Sequence, residues 1–140
     1  MKKRLIAGNW PAWALTAASF LFAAGVIFFL PDRIPMQWNG LRVNWYAPKT
    51  AIFALPCLLL LFTLLKPYFP ASKNPWFAPK LASLTVYCML ALLLTLELYT
   101  AAFCFGLRVP IEYIILPEIC VIVVLCFGYA FLSWRKCRQA

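Results

Sequence analysis

Four long runs of apolar residues alternate with short polar segments along this 140-residue chain. The runs cover residues 12–30, 50–65, 81–105 and 113–134, and most prolines and charges lie between them. An α-helix needs about 20 apolar residues to cross the ~30 Å hydrocarbon core of a bilayer, so three runs are long enough and the second is slightly short. The pattern predicts an all-α membrane protein with four transmembrane helices, in one domain over residues 1–140.

The composition favours the same fold class. Hydrophobic residues make up 65% of the chain and charged residues only 12%, whereas a soluble domain of this size has too little interior to bury so much apolar surface. The net charge of +9 would suggest nucleic acid as a partner in a soluble protein. Here the basic residues lie at the ends of apolar runs, where they set membrane topology. We therefore expect the lipid bilayer as a partner and no nucleic acid.

The basic residues are distributed unevenly among the polar segments. Nine of the 13 Lys and Arg residues precede the first run, lie between the second and third, or follow the fourth, with no acidic residue beside them. The other two segments hold Arg33, Arg42, Lys49 and Arg108, together with Asp32 and Glu112. Because cytoplasmic loops carry the excess of Lys and Arg, both termini and the middle loop are predicted to be cytoplasmic (N-in/C-in). The first and third loops are predicted to face outward.

The chain offers few groups for metal, redox or nucleophilic chemistry. It contains no His, and its six Cys residues form no Cys-x-x-Cys pair. Most of these Cys residues fall inside apolar runs, where Cys packs as a small hydrophobe. Zinc, haem or iron–sulfur sites and nucleophilic catalysis lack the residues that they need. We expect no cofactor, no metal and no enzymatic activity, although a carboxylate pair could still bind a divalent cation or perform acid–base chemistry.

Two acidic residues, Glu97 and Glu118, lie inside predicted spans. At 1.5 Å per residue they are about 12 Å and 8 Å below the outer boundary. A charge in hydrocarbon costs at least about 2.5–3.5 kcal/mol, so each acid should face the bundle, pair with a cation or stay protonated. We therefore predict an outward-facing polar pocket that these acids share with the first outward loop. The alternative is that each acid merely ties the loop down. The predicted ligand-binding residues are Glu97, Glu118, Asp32, Arg33, Gln37, Trp38, Asn39, Arg42, Lys49 and Arg108.

The first outward loop, residues 30–49, is expected to be an ordered lid. Its three prolines lower the entropic cost of ordering, Gly40 permits a tight turn, and its apolar side chains need cover. The alternation from Arg42 to Trp45 is compatible with a short strand, but a lone hairpin is marginally stable in water. We therefore expect an ordered loop rather than a strand.

This loop also carries a motif. A span ending in Leu-Pro-x-x-Ile-Pro is followed by a polar residue, an aromatic, Asn and Gly, and then by Lys49 at the start of a proline-containing span. The motif, from Leu30 to Lys49, resembles the small membrane domain of unknown function at the N-terminus of SdpI-type immunity proteins. The resemblance implies residence in the bacterial inner membrane, immunity against a secreted toxic peptide, and signalling through a cytoplasmic regulator. The chain departs from the family pattern at Gln37, where His is common, and in its short Asn39–Gly40 interval.

Three functions stay open on this basis. The protein could bind or sense an extracellular peptide through the outer pocket, as an immunity protein would. It could be a small transporter or channel component, in which Glu97 lines a path and a homo-oligomer completes the wall. It could also be a non-catalytic accessory subunit that packs against a larger membrane partner.

Overall fold

The computed structural model describes residues 9–66 and 79–139, and in these ranges the chain is mostly helical. The four α-helices within these ranges are α1, Trp10–Val26; α2, Ala54–Leu65; α3, Pro79–Cys104; and α4, Glu112–Gln139. Two strands, β1 (Arg33–Asn39) and β2 (Arg42–Pro48), follow α1, and a 3-10 helix at Lys49–Phe53 leads into α2. Each apolar run of the sequence thus contributes a helix. The basic residues of segments 1–8 and 67–78, on which the predicted topology partly rests, lie outside the described residues.

Helices α1, α2 and α3 pack against one another, and α4 packs chiefly against α3. The buried face of α1 follows helical spacing and is made of small or polar side chains: Ala12, Thr16, Ser19, Ala23 and Val26. Small residues on such a face allow neighbouring helices to approach closely. Pro11 opens α1, where its missing N–H is not needed. Pro56 lies in the first turn of α2, where a missing backbone N–H also leaves no helical hydrogen bond unmade, so proline is tolerated there.

Buried apolar side chains form two clusters along the bundle. One contains Ala23, Val26, Leu30, Ile34, Ile52 and Ala101. The other contains Ala12, Leu59, Val86 and Leu90. Because Ile34 belongs to β1, the first cluster joins the strands to the end of the bundle. The second cluster holds α1, α2 and α3 together further along their length.

The expectation of a loop without strands was wrong, because residues 33–48 form an antiparallel hairpin. Its register runs from Arg33 opposite Pro48 to Asn39 opposite Arg42, with an irregularity between Pro35 and Trp38. Gly40, with φ of 60°, is the first of two turn residues, where a type II′ turn requires glycine. An isolated hairpin is marginal, but this one packs Ile34 against residues of α1 and α3 and also buries Ala47. These contacts supply stability that the strand pair lacks by itself, and the fold is mostly helical rather than all-α.

Within the described ranges, two helices are long and apolar enough to cross a membrane. The qualifying segments are Ser83–Cys104, with 22 residues and a mean hydropathy of 1.8, and Glu112–Leu132, with 21 residues and a mean hydropathy of 2.4. Trp10–Val26 and Lys49–Leu65 are apolar but shorter. None of the apolar window of α4 is buried within the chain. Most of the surface of α4 is therefore left for lipid or for another protein.

Candidate functional site

A cleft of about 360 Å³ opens beside the hairpin. The hairpin, its flanking residues, the end of α3 and the following segment line it through Pro31, Arg33, Pro35, Leu41, Val43, Tyr46, Phe103, Cys104 and Arg108. Arg33 and Arg108 are exposed, and most of the other lining residues are apolar. The guanidinium carbon of Arg108 lies 5.0 Å from the centroid of the Phe103 ring, a cation–π distance. The cleft therefore combines two positive charges with lining residues that are mostly of apolar type, and we call these apolar side chains the apolar wall.

An aromatic cluster holds this wall in place. The indole of Trp38 on β1 meets the rings of Tyr99 and Phe103 on α3 edge-on, with centroid distances of 5.2 Å and 6.2 Å. The Tyr99 hydroxyl donates a hydrogen bond to the carbonyl of Val109, 2.8 Å away. Edge-to-face rings add about 0.5–1.5 kcal/mol to the gain from buried area. Trp38 thus positions the wall by fastening the hairpin to α3, and it does not itself line the cleft.

The remaining predicted residues of the hairpin lie outside the cleft. Lys49 Nζ lies 3.4 Å from Asp32 Oδ1, but the Asp32 side chain is 95% exposed, and such surface pairs contribute at most about 1 kcal/mol. The Lys49 backbone N–H also donates to the Asp32 carbonyl at 3.0 Å, so this pair closes the base of the hairpin. Gln37, Asn39 and Arg42 have exposed side chains.

Glu112 fastens the tip of the hairpin, a role that sequence reasoning missed. The Gly40 backbone N–H donates to Glu112 Oε1 at 2.9 Å, so the turn is tied to the first residue of α4. The second oxygen, Oε2, is buried and has no hydrogen-bond partner among the described residues. The sequence placed Glu112 only among the charges of a predicted outward loop. Its position before an apolar run was the one available signal.

Glu97 lies elsewhere, in the contact between α1 and α3. Its side chain is 0% exposed, and the Ser19 hydroxyl of α1 donates a hydrogen bond to its Oε2 atom. Its Oε1 atom is buried without a partner among the described residues. Within the same part of the chain, no Lys or Arg forms an ion pair with Glu97. The structure therefore does not bring this acid together with the cations of the hairpin.

Glu118 occupies a third place, between α3 and α4. The Thr95 hydroxyl donates to its Oε1 atom at 3.2 Å, and its Oε2 atom is buried without a partner among the described residues. Thr95 and Glu97 are two residues apart on α3, so they lie on different faces of that helix. Glu97 and Glu118 consequently do not share one pocket.

The apolar wall of the cleft could not be found from the sequence. Leu41 and Tyr46 are distant along the chain from Phe103 and Cys104, and apolar residues near span ends are ordinarily assigned to lipid or packing. Among the ranges 9–66 and 79–139, no group of three or more His, Cys, Asp or Glu could hold a metal ion. The candidate functional groups of the described chain are thus a cleft with two arginines, the fully buried Glu97 and the partly buried Glu118.

This architecture is that of a mostly helical chain with two helices of membrane-spanning length and a hairpin fixed over one end. Residues 14–60 match a family model described as Domain of unknown function (DUF1648). The matched segment contains most of α1, the whole hairpin and the first half of α2, which confirms the resemblance of the loop motif to a small domain of unknown function. Helices α3 and α4 lie beyond the matched residues. No curated protein and no solved structure matches the chain.

Proposed function

We propose that this chain is an integral protein of the bacterial inner membrane that crosses it four times, with both termini in the cytoplasm. The two long apolar helices support this, as does the position of the hairpin beside the segment that precedes α4. Trp38 contacts Tyr99 near the end of α3, and Gly40 contacts Glu112 at the start of α4. Both predicted outward segments therefore lie at one end of the bundle. Two segments that are separated by two membrane-spanning helices should lie on the same side of the membrane.

The topology predicts an all-or-none labelling difference between Asn39 and Asn74, which lies outside the described residues. A cysteine at position 39 should react with a membrane-impermeant maleimide on intact cells. A cysteine at position 74 should react only after permeabilisation, because the basic residues hold its segment inside. The unmodified chain, with its six native Cys residues, provides the background. Labelling in the reverse order would contradict the N-in/C-in orientation.

We further propose that the protein is a non-catalytic receptor for an extracellular amphipathic peptide, which it binds in the cleft beside the hairpin. The observation that carries this proposal is the pairing of Arg33 and Arg108 with an apolar wall in one cleft. Arg binds carboxylates through two parallel hydrogen bonds, which gives geometric as well as energetic selectivity. A peptide with an acidic group beside apolar side chains would satisfy both features of the cleft.

Immunity is the biological role that best suits such a receptor. A toxic peptide held at the outer surface would be kept from inserting into the bilayer, and the resemblance to SdpI-type proteins points to the same role. Signalling through a cytoplasmic regulator would then require the helices to transmit occupancy of the cleft.

Native purification of the full chain, followed by binding measurements on arginine variants, tests whether the cleft binds a peptide. Peptides that co-purify with the wild-type protein would be identified by mass spectrometry and synthesised, and their Kd would be measured. Replacing Arg33 and Arg108 together by Gln should weaken binding at least about tenfold, because each lost charge-assisted hydrogen bond contributes about 1.5–3 kcal/mol. Arg42→Gln is the matched control, since Arg42 is an exposed hairpin arginine outside the cleft lining. An equal Kd for the double variant, or no bound peptide, would contradict the proposal.

An accessory subunit is the second candidate function, and the open surface of α4 favours it. The apolar window of α4 has no buried residue within the chain, so a larger membrane protein could pack there. Recovery of one membrane partner in stoichiometric amount, without peptide, would favour this function. A small transporter or channel would instead purify as a symmetric homo-oligomer with Glu97 close to its axis.

A further inference from the structure

The contact between α1 and α3 encloses a carboxyl group that the cleft does not use. Glu97 is fully buried there, and its only hydrogen-bond donor among the described residues is the Ser19 hydroxyl. Glu97 Oε1 has no partner in the same part of the chain. An ionised carboxylate accepts hydrogen bonds at two oxygens and about four lone-pair sites. Most of this capacity is therefore unfilled.

The neighbouring hydroxyl groups are committed to other acceptors. Thr100, three residues further along α3, donates to the Leu96 carbonyl at 2.8 Å. Thr16, three residues before Ser19 on α1, donates to the Ala12 carbonyl at 2.9 Å and lies 2.9 Å from the Thr63 hydroxyl. Neither of these threonines is available to stabilise a negative charge on Glu97.

Other titratable groups around Glu97 provide no compensating charge. Helix α1 carries no titratable side chain within its bounds, and Cys57 on α2 is exposed. On α3, the Tyr99 hydroxyl is bonded to Val109, and on α4 the Glu118 carboxyl accepts from Thr95. In the described chain, the ion pair of the hairpin base between Lys49 and Asp32 lies apart from this contact. An ionised Glu97 would therefore be a buried charge without a counter-ion, which proteins avoid by neutralisation.

A proton fits this site better than a metal ion. Ca²⁺ and Mg²⁺ take about six or more oxygen ligands, whereas the side chains here supply the two Glu97 oxygens and one hydroxyl. The described residues also contain no group of three acidic, Cys or His side chains that could hold a metal. A single proton on Oε1 removes the charge while Oε2 keeps accepting the hydrogen bond from Ser19.

We propose that Glu97 is a proton-binding site in the interior of the bundle, with Ser19 as its hydrogen-bonding partner across the contact between α1 and α3. Release of the proton places a negative charge in this contact, so the packing of α1 on α3 depends on whether the site is occupied. The site is separate from the cleft, and the proposal holds whether or not the cleft binds a peptide.

Infrared spectroscopy of the full chain in lipid at neutral pH tests the site directly. A protonated carboxylic acid has a C=O stretching band distinct from the bands of an ionised carboxylate, and the wild-type protein should show one that shifts in D₂O. The band should be lost in Glu97→Gln and kept in Glu118→Gln, the matched control for a partly buried acid on α4. Absence of the band in the wild type, or its persistence in Glu97→Gln, would overturn the proposal.

Two further measurements keep the test decisive if Glu97→Gln does not fold. Ser19→Ala removes the hydrogen bond to Oε2 and leaves the acid in place, so the band should remain and change frequency. An unchanged frequency would overturn the role of Ser19. Loss of the wild-type band on addition of NaCl or KCl at constant pH would show that a metal cation displaces the proton, which would overturn the assignment of a proton as the ligand.

Discussion

Replacing Trp38 by alanine should lower the free energy of unfolding by about 2–4 kcal/mol, somewhat less than the about 3–5 kcal/mol of a core aromatic. The indole is half-buried and joins the hairpin to Tyr99 and Phe103 on α3. Its loss removes these ring contacts and opens a cavity beneath β1. An SDS titration followed by circular dichroism measures the change in stability. Hydrogen exchange should show faster exchange of the amides of residues 33–48 than of those in α3.

Trp45→Ala is the matched control for this change. Trp45 is the same side chain on the neighbouring strand, but it is 56% exposed. Its truncation should lower the free energy of unfolding by much less than that of Trp38. Equal losses in the two variants would contradict the role of Trp38 in fastening the hairpin to α3.

Replacing Leu90 by alanine should lower the free energy of unfolding by about 2–5 kcal/mol, the range for truncation of a buried leucine. Leu90 on α3 is 0% exposed and packs with Ala12, Leu59 and Val86 in the second core cluster. Since lipid is as apolar as leucine, the loss in a membrane arises mainly from packing contacts between helices. The same SDS titration measures it.

Leu98→Ala provides the comparison within the same helix. The Leu98 side chain is 46% exposed, so its truncation opens little or no cavity and should leave the midpoint nearly unchanged. A midpoint shift for Leu98→Ala as large as that for Leu90→Ala would contradict the described packing of α1, α2 and α3.

The helices were largely predictable because their signal is local. An apolar run of about 20 residues predicts a span whichever neighbours it has, and each of the four runs contains a helix. The hairpin was not predictable in the same way. Its stability depends on burial of Ile34 and Ala47 and on the contact of Trp38 with α3, and these contacts join segments far apart in the sequence.

The candidate site was also predictable only in part. Residue type and position were enough to single out Glu97 as a costly group in a predicted span, and Arg33 and Arg108 as cations of the predicted outward loops. Which of these groups meet was decided by the helix faces. Thr95 lies on the face of α3 that contacts Glu118 of α4, whereas Glu97 lies on the face that contacts Ser19 of α1. One predicted pocket therefore became a cleft and two separate acids.

The sequence by itself determined the helices of the four apolar runs, the turn at Gly40 and the uneven distribution of charge, because each depends on residues that are close along the chain. Only the tertiary structure decided that β1 and β2 pair, that Phe103 and Arg108 complete a cleft with the hairpin, and that Ser19 is the partner of Glu97. These features join residues separated by tens of positions. Their free energies come from burial and hydrogen bonding across helices, which no local pattern specifies.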